Sequence, residues 1–123
     1  MSRKVLIIDD EDDIREVETL TLETMGDFEV IGASNGIDGL AKAESELPDV
    51  ILLDVMMPGL DGPATFERLK QSERTRSIPI IFMTAKVQAA ERQTLLELGP
   101  LGVIAKPFDP MTLVDQLLAL LNR

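Results

Sequence analysis

The chain has 123 residues, of which 45% are hydrophobic, the length of about one domain with enough apolar content for a core. Lys and Arg number 12 against 22 Asp and Glu, a formal net charge of −10, and there is neither cysteine nor histidine. That excludes disulfides, thiolate nucleophiles, imidazole bases and Cys or His metal sites, and leaves hard oxygen ligands suited to magnesium, calcium or manganese. In chain order, the apolar run Val5–Ile8 predicts a first strand, followed at once by five acids, Asp9-Asp10-Glu11-Asp12-Asp13. A helix is expected next, opened by the capping-box pattern Asp13-Ile14-Arg15-Glu16, with Ile14, Val17, Thr21 and Met25 on one face and an end near Gly26. Val30–Ala33 reads as a strand, and Ile37, Leu40, Ala41 and Glu44 mark a second helix closed before Pro48. Val50–Leu53 is a further continuous apolar strand. Pro63 fits the first position of a third helix capped by Asp61 or Gly62. Ile78–Met83 predicts a fourth strand, and Val87, Ala90, Thr94, Leu95 and Leu98 a fourth helix stopped by Gly99-Pro100. Val103–Ala105 is the fifth strand, and Asp109-Pro110 starts a last helix with Leu113, Val114, Leu117, Leu118 and Leu121 on its apolar face.

Strands alternating with helices predict an α/β fold, a doubly wound (βα)5 arrangement around a five-stranded parallel sheet with right-handed crossovers. The first and third strands are continuously apolar, as strands covered on both faces should be, so the order 2-1-3-4-5 is expected. Neither repeat nor linker interrupts residues 1–123, which read as a single domain. The apolar runs fall far short of the roughly 18 residues a membrane span requires, and the acid pentad stands where the apolar part of a signal peptide would continue. The acidity opposes binding of a nucleic-acid backbone by this chain alone, and an aromatic fraction of 3% without Trp or Tyr offers few stacking platforms. A cytoplasmic domain is the expectation.

In sheets of this order, ligands bind beyond the carboxyl ends of the strands, at the switch point between strands 1 and 3. Asp9 and Asp10 follow strand 1, and Asp54 follows strand 3. Like charges about 4 Å apart cost roughly 4 kcal/mol at an effective dielectric of 20. A divalent cation reverses that sign, and magnesium is typically held by one or two carboxylates with waters and a phosphate. The ends of strands 4 and 5 add the Thr84 hydroxyl and the Lys106 ammonium, a point charge suited to a phosphoryl group.

Together with Val5–Glu11, Leu53–Gly62, Ile81–Ala85 and Ala105–Phe108, these residues resemble the receiver domains of two-component response regulators over essentially the whole chain. The resemblance implies a flavodoxin-like fold and a phosphorelay receiver, a regulator rather than a turnover enzyme, which takes a phosphoryl group from a sensor histidine kinase or histidine phosphotransfer protein. By the same resemblance Asp54 matches the phosphoacceptor, Asp10 the direct magnesium ligand, Asp9 the ligand acting through water, and Met56 the backbone-carbonyl ligand. Manganese is the other cation that fits. Thr84 matches the switch hydroxyl and Lys106 the phosphoryl-binding lysine, usually joined to the next proline, here Pro107, by a cis bond. Ala85 is small enough to leave room for the phosphoryl oxygens. A downstream protein target is expected on the face made by the fourth helix, fifth strand and fifth helix, with the chain a monomer or weak dimer.

Two positions depart from the family. Val103 stands where a Tyr or Phe usually switches, and Gly99-Pro100-Leu101-Gly102 is more apolar and stiffer than the usual turn. Drift in an edge strand and a signalling face that works without the aromatic ring both account for Val103. A stand-alone regulator is the leading expectation, with a receiver excised from a DNA-binding regulator or hybrid kinase as its rival. An aspartate-nucleophile phosphatase would need an acid where Met56 stands, and a flavodoxin-type carrier a phosphate loop where the acids stand. A pseudo-receiver that only binds partners would be expected to have lost an acid or the lysine.

Overall fold

The structure, a computed structural model, describes residues 3–85 and 88–122. Ten elements alternate along it: β1 (Arg3–Ile8), α1 (Asp12–Met25), β2 (Phe28–Ala33), α2 (Gly36–Glu46), β3 (Val50–Asp54), α3 (Gly62–Gln71), β4 (Ile80–Thr84), α4 (Ala89–Glu97), β5 (Gly102–Ala105) and α5 (Pro110–Leu121). The strands form one parallel sheet in the order β2-β1-β3-β4-β5, as expected. Because side chains alternate along a strand, the apolar runs of β1, β3 and β4 feed two cores at once. Leu6, Ile8, Ile51, Leu53, Ile80 and Phe82 pack with Ala43 of α2, Phe66 and Leu69 of α3 and Leu95 of α4. Val5, Ile7, Val50, Leu52, Ile81 and Met83 pack with Leu22 of α1 and Leu113 and Leu117 of α5. A tilted Phe66–Phe82 pair, ring centroids 5.3 Å apart, ties α3 to the sheet centre.

Several elements differ from the sequence-based expectation for physical reasons. α1 starts at Asp12 after Glu11, which makes no side-chain cap, so the Asp13 capping box does not open it. Its buried stripe is Glu18, Thr21 and Leu22, whereas Val17 and Met25 are exposed. An inward glutamate breaks the apolar periodicity and displaces the expected face. α2 buries Gly36, Gly39 and Ala43 and exposes Ile37 and Ala41, because the helix lies so close to β1 that a Cβ at Gly39 would meet Ile8 at 2.5 Å. Small residues carry no hydrophobic signal. Asp61 caps α3, its Oδ1 accepting from the Ala64 N–H at 2.9 Å, with Gly62 as first and Pro63 as second helical residue. β4 begins after Pro79, and Ile78 closes the preceding turn onto the Thr75 carbonyl. α4 buries only Leu95, with Thr94 and Leu98 exposed; Val87 lies outside the described residues. α5 follows its expected pattern, Asp109 accepting from the Met111 N–H.

Candidate functional site

The carboxyl ends of β1, β3, β4 and β5 converge on a pocket of about 280 Å³ lined by Glu11, Ile14, Asp54, Met56, Ala85, Lys106 and Pro107. Asp9 extends the β1 ladder by one bond, its N–H donating to the Ala33 carbonyl at 3.0 Å, and this turns its side chain inward. Asp9 Oδ1 accepts from the Glu11 N–H at 2.9 Å. Arg15 Nη1 donates to the Asp9 carbonyl at 2.7 Å, so the turn between β1 and α1 is held from both sides. Asp54 is the last residue of β3, and its Oδ1 accepts from the Met56 N–H at 3.3 Å. The following loop returns over the strand end, where a Cβ at position 62 would stand 2.4 Å from the Asp54 carbonyl oxygen; only glycine fits.

Lys106 joins these acids. Its backbone N–H donates to the Thr84 carbonyl at 2.8 Å, and its bond to Pro107 is cis. Its Nζ lies 3.0 Å from Asp9 Oδ2, 3.5 Å from Asp54 Oδ2 and 3.6 Å from Glu11 Oε1. The Lys106, Asp9 and Asp54 side chains are 8%, 2% and 6% exposed, so the charges meet largely out of water. Burial pulls the lysine down, but Asp9, Asp54 and Glu11 outweigh it and hold the ammonium above its ordinary value. Burial pushes the Asp54 carboxyl up to about 6, aided by Asp9 and opposed by Lys106 and the Met56 N–H.

Oxygens of Asp9, Glu11 and Asp54 lie within 4.8 Å of one another, a set of hard donors that fits a divalent cation of the magnesium type. Asp10 is half-buried and does not join that set; Glu11, which sequence reasoning passed over, does. Adjacent acids give no sign in sequence of which one turns inward. Thr84 is buried at the end of β4, Ala85 is exposed at the pocket wall, and Met56 is largely exposed at its rim. Val103 is buried in register with Phe82, and its carbonyl accepts from Arg92 Nη2 at 3.4 Å.

A second residue was also missed. Glu18 of α1 is fully buried; no N–H or O–H group of the other described residues donates to its oxygens, and its carboxyl faces that of Asp9. Burial and then the charge of Asp9 push its carboxyl up to about 8, with Lys106 pulling the other way and a hydrogen bond shared with Asp9 and the charge of Asp54 adding to the rise.

The model of the response regulator receiver domain matches residues 5–118. The chain belongs to the response regulator receiver family. This receiver is 40% identical to the alkaline phosphatase synthesis transcriptional regulatory protein PhoP of Bacillus subtilis (strain 168), over all of this chain and 50% of that protein. It is 42% identical to the phosphate regulon transcriptional regulatory protein PhoB of Pseudomonas aeruginosa, over all of this chain and 53% of that protein. The receiver thus spans about half the length of these curated relatives. Among solved structures it is similar to the chemotaxis response regulator CheY4 of Vibrio cholerae, with a TM-score of 0.90 and 32% identity over 98% of this chain and 99% of that one. It is also similar to the signal receiver domain of a signal transduction histidine kinase from Syntrophus aciditrophicus, with a TM-score of 0.85 and 29% identity over 98% and 91% of the two chains. Its function is that of a phosphorelay receiver, a phosphorylated regulator carrying an acidic cluster suited to magnesium. No helix among the described residues is long and apolar enough to cross a membrane.

Proposed function

We propose that Asp54 is the phosphoacceptor, with Lys106 and Thr84 as its phosphoryl-binding partners. The observation that carries this reading is the position of Lys106 Nζ, shared between Asp9 and Asp54 at the mouth of the pocket. An Asp54 carboxylate oxygen attacks the phosphorus of a phosphohistidine, the P–N bond breaks as the P–O bond forms, and the imidazole leaves. Such transfers pass through a loose in-line transition state, in which positioning and neutralisation of the equatorial oxygens supply most of the rate. Lys106 neutralises one side of the phosphoryl group, and the Thr84 hydroxyl donates to an oxygen once the acyl phosphate exists. Asp9, Glu11 and Asp54, whose oxygens lie together, would hold a magnesium or manganese ion, with Asp10 and the Met56 carbonyl as the further ligands that the resemblance implies. Bound there, the cation supplies charge neutralisation of the transferring group.

The phosphodonor in this reading is a histidine kinase or histidine phosphotransfer protein. The phosphorylated state is read by a protein partner at the α4–β5–α5 face, so the chain works as a regulator and not as a turnover enzyme. The names of PhoP and PhoB favour a receiver that governs transcription through what it contacts, and the match to CheY4 supports a chemotaxis-type regulator as the alternative. The test is incubation with a small acyl-phosphate donor, with and without magnesium. Near-stoichiometric, magnesium-dependent incorporation is expected; equal incorporation in excess chelator overturns the reading.

A further inference from the structure

Every polar group of Asp9 has a partner. Its N–H donates to the Ala33 carbonyl at 3.0 Å, its Oδ1 accepts from the Glu11 N–H at 2.9 Å, and its Oδ2 lies 3.0 Å from Lys106 Nζ. Its carbonyl accepts from Arg15 Nη1 at 2.7 Å, a bond that reaches back from the first turn of α1. The same guanidinium pairs through Nη2 with Asp12 Oδ1 at 2.6 Å, and the Arg15 N–H donates to the Glu11 carbonyl at 3.0 Å. Arg15 is thus bonded to residues 9, 11 and 12. It brackets the turn that carries two of the three acids whose oxygens cluster.

The sheet makes room for this reach. The Arg15 side chain is half-buried, and its stem runs beside Gly32 of β2, where an added Cβ would stand 3.2 Å from Arg15 Cδ and 3.4 Å from its Nε. A guanidinium is a planar fork with fixed donor directions, so it grips a carbonyl and a carboxylate at once and sets their angle as well as their distance. An ammonium is a mobile point charge and does not. The positive charge of Arg15 by itself repels any cation nearby, so what the residue offers the site is geometry.

Geometry matters to the choice of cation. Magnesium demands a near-octahedral shell with oxygens at about 2.1 Å, whereas calcium takes more oxygens at about 2.3–2.6 Å in irregular arrangements. Loosening the spacing of Asp9 and Glu11 therefore costs the smaller ion more. We propose that Arg15 is a positioning residue of the cation site, a clamp on the β1–α1 turn that holds Asp9 and Glu11 at the spacing of a magnesium-sized ion and so sets the preference for magnesium over calcium. This rests on the proposed phosphoryl site and extends it by a residue that is itself no ligand.

Calorimetric titration of magnesium and, separately, of calcium into wild type, Arg15→Lys, Arg15→Met and Asp54→Ala tests this, at a temperature where melts in chelator show each protein folded. Methionine, which keeps the stem and loses every donor, should weaken magnesium binding at least about tenfold and calcium binding by about threefold or less. Lysine, which keeps the charge and reaches one acceptor at a time, should fall between wild type and methionine. A loss of fold stability alone would not shift the ratio of two affinities that are both measured on folded protein. A charge acting through space would leave lysine at wild type and make methionine bind both cations more tightly, with their ratio unchanged. A magnesium-to-calcium affinity ratio in Arg15→Met that rises, or stays within about twofold of wild type, overturns the inference. If methionine does not fold, lysine decides on the same criterion. Failure of the underlying site reads differently: wild type would then bind no magnesium, or Asp54→Ala would bind it as tightly as wild type.

Discussion

Replacing Lys106 with methionine keeps the length of the side chain and removes its charge, which exposes how far the resting site depends on one cation. Lys106 Nζ faces Asp9, Asp54 and Glu11 at 3.0, 3.5 and 3.6 Å, with the first two side chains almost fully buried. At an effective dielectric of 20 each of the two buried pairs is worth roughly 5 kcal/mol before desolvation, and the largely exposed Glu11 adds much less. Removing one partner of a buried pair leaves the other charge stranded, at a cost of about 3–5 kcal/mol. Lys106 is held above its ordinary value, so its contribution is fully present below about 10.5 and is lost only as pH climbs through the raised folded value. The pH dependence between 5 and 9 therefore comes from the acids. Asp54 stands at about 6 with Lys106 pulling it down; without the lysine it rises further, and ionising it in the folded state becomes costlier. Near pH 5 Asp54 is protonated in both proteins and the difference shrinks. Urea unfolding in chelator at pH 5, 7 and 9 should show a loss of about 3–5 kcal/mol at the upper two and clearly less at pH 5. Added magnesium should recover part of the loss. A loss below about 1 kcal/mol at pH 9, the size expected of an exposed pair, or one equal at pH 5 and 9, would refute the reasoning.

Asp10→Asn should weaken magnesium binding about tenfold while leaving the metal-free protein at least as stable as wild type, since the change relieves repulsion among Asp9, Asp10 and Glu11. Thermal melts in chelator check this, and a lower melting temperature would show that Asp10 serves the fold. With a phosphoryl mimic at Asp54, Thr84 should approach the mimic while Val103 keeps its rotamer, because a stiff β-branched side chain is too short to take over an aromatic swing. A structure with the mimic bound decides, and a joint change of rotamer and burial at Val103 counts against it.

The sheet was legible because parallel strands buried on both faces have to be continuously apolar, as β1 and β3 are. The acid cluster was legible in outline because the ends of those strands had to meet at the switch point, where Asp9, Asp54 and Lys106 come together; Thr84, at the end of β4, lines a neighbouring pocket with Val55, Glu91, Thr94 and Leu95. What escaped is local. Which acid after β1 turns inward depends on one ladder bond to the Ala33 carbonyl, which continues the strand by a residue and aims Asp9, rather than Asp10, at Lys106. The stripe of α1 was displaced because Glu18 reads as a surface residue, and that of α2 because its buried residues are Gly36, Gly39 and Ala43. Close backbone approach and a buried acid are both tertiary facts, and neither leaves a periodic trace.

The central claim is that one carboxylate, Asp54, receives the phosphoryl group in the pocket that Lys106 closes. Borohydride reduction converts an aspartyl phosphate to homoserine, so phosphorylating the protein with a small acyl-phosphate donor and magnesium, reducing it and sequencing its peptides locates the acceptor directly. Homoserine at position 54, lost in Asp54→Ala and in excess chelator, is the predicted result. Homoserine at Asp9 or Asp10, or full labelling that persists in Asp54→Ala, would contradict it.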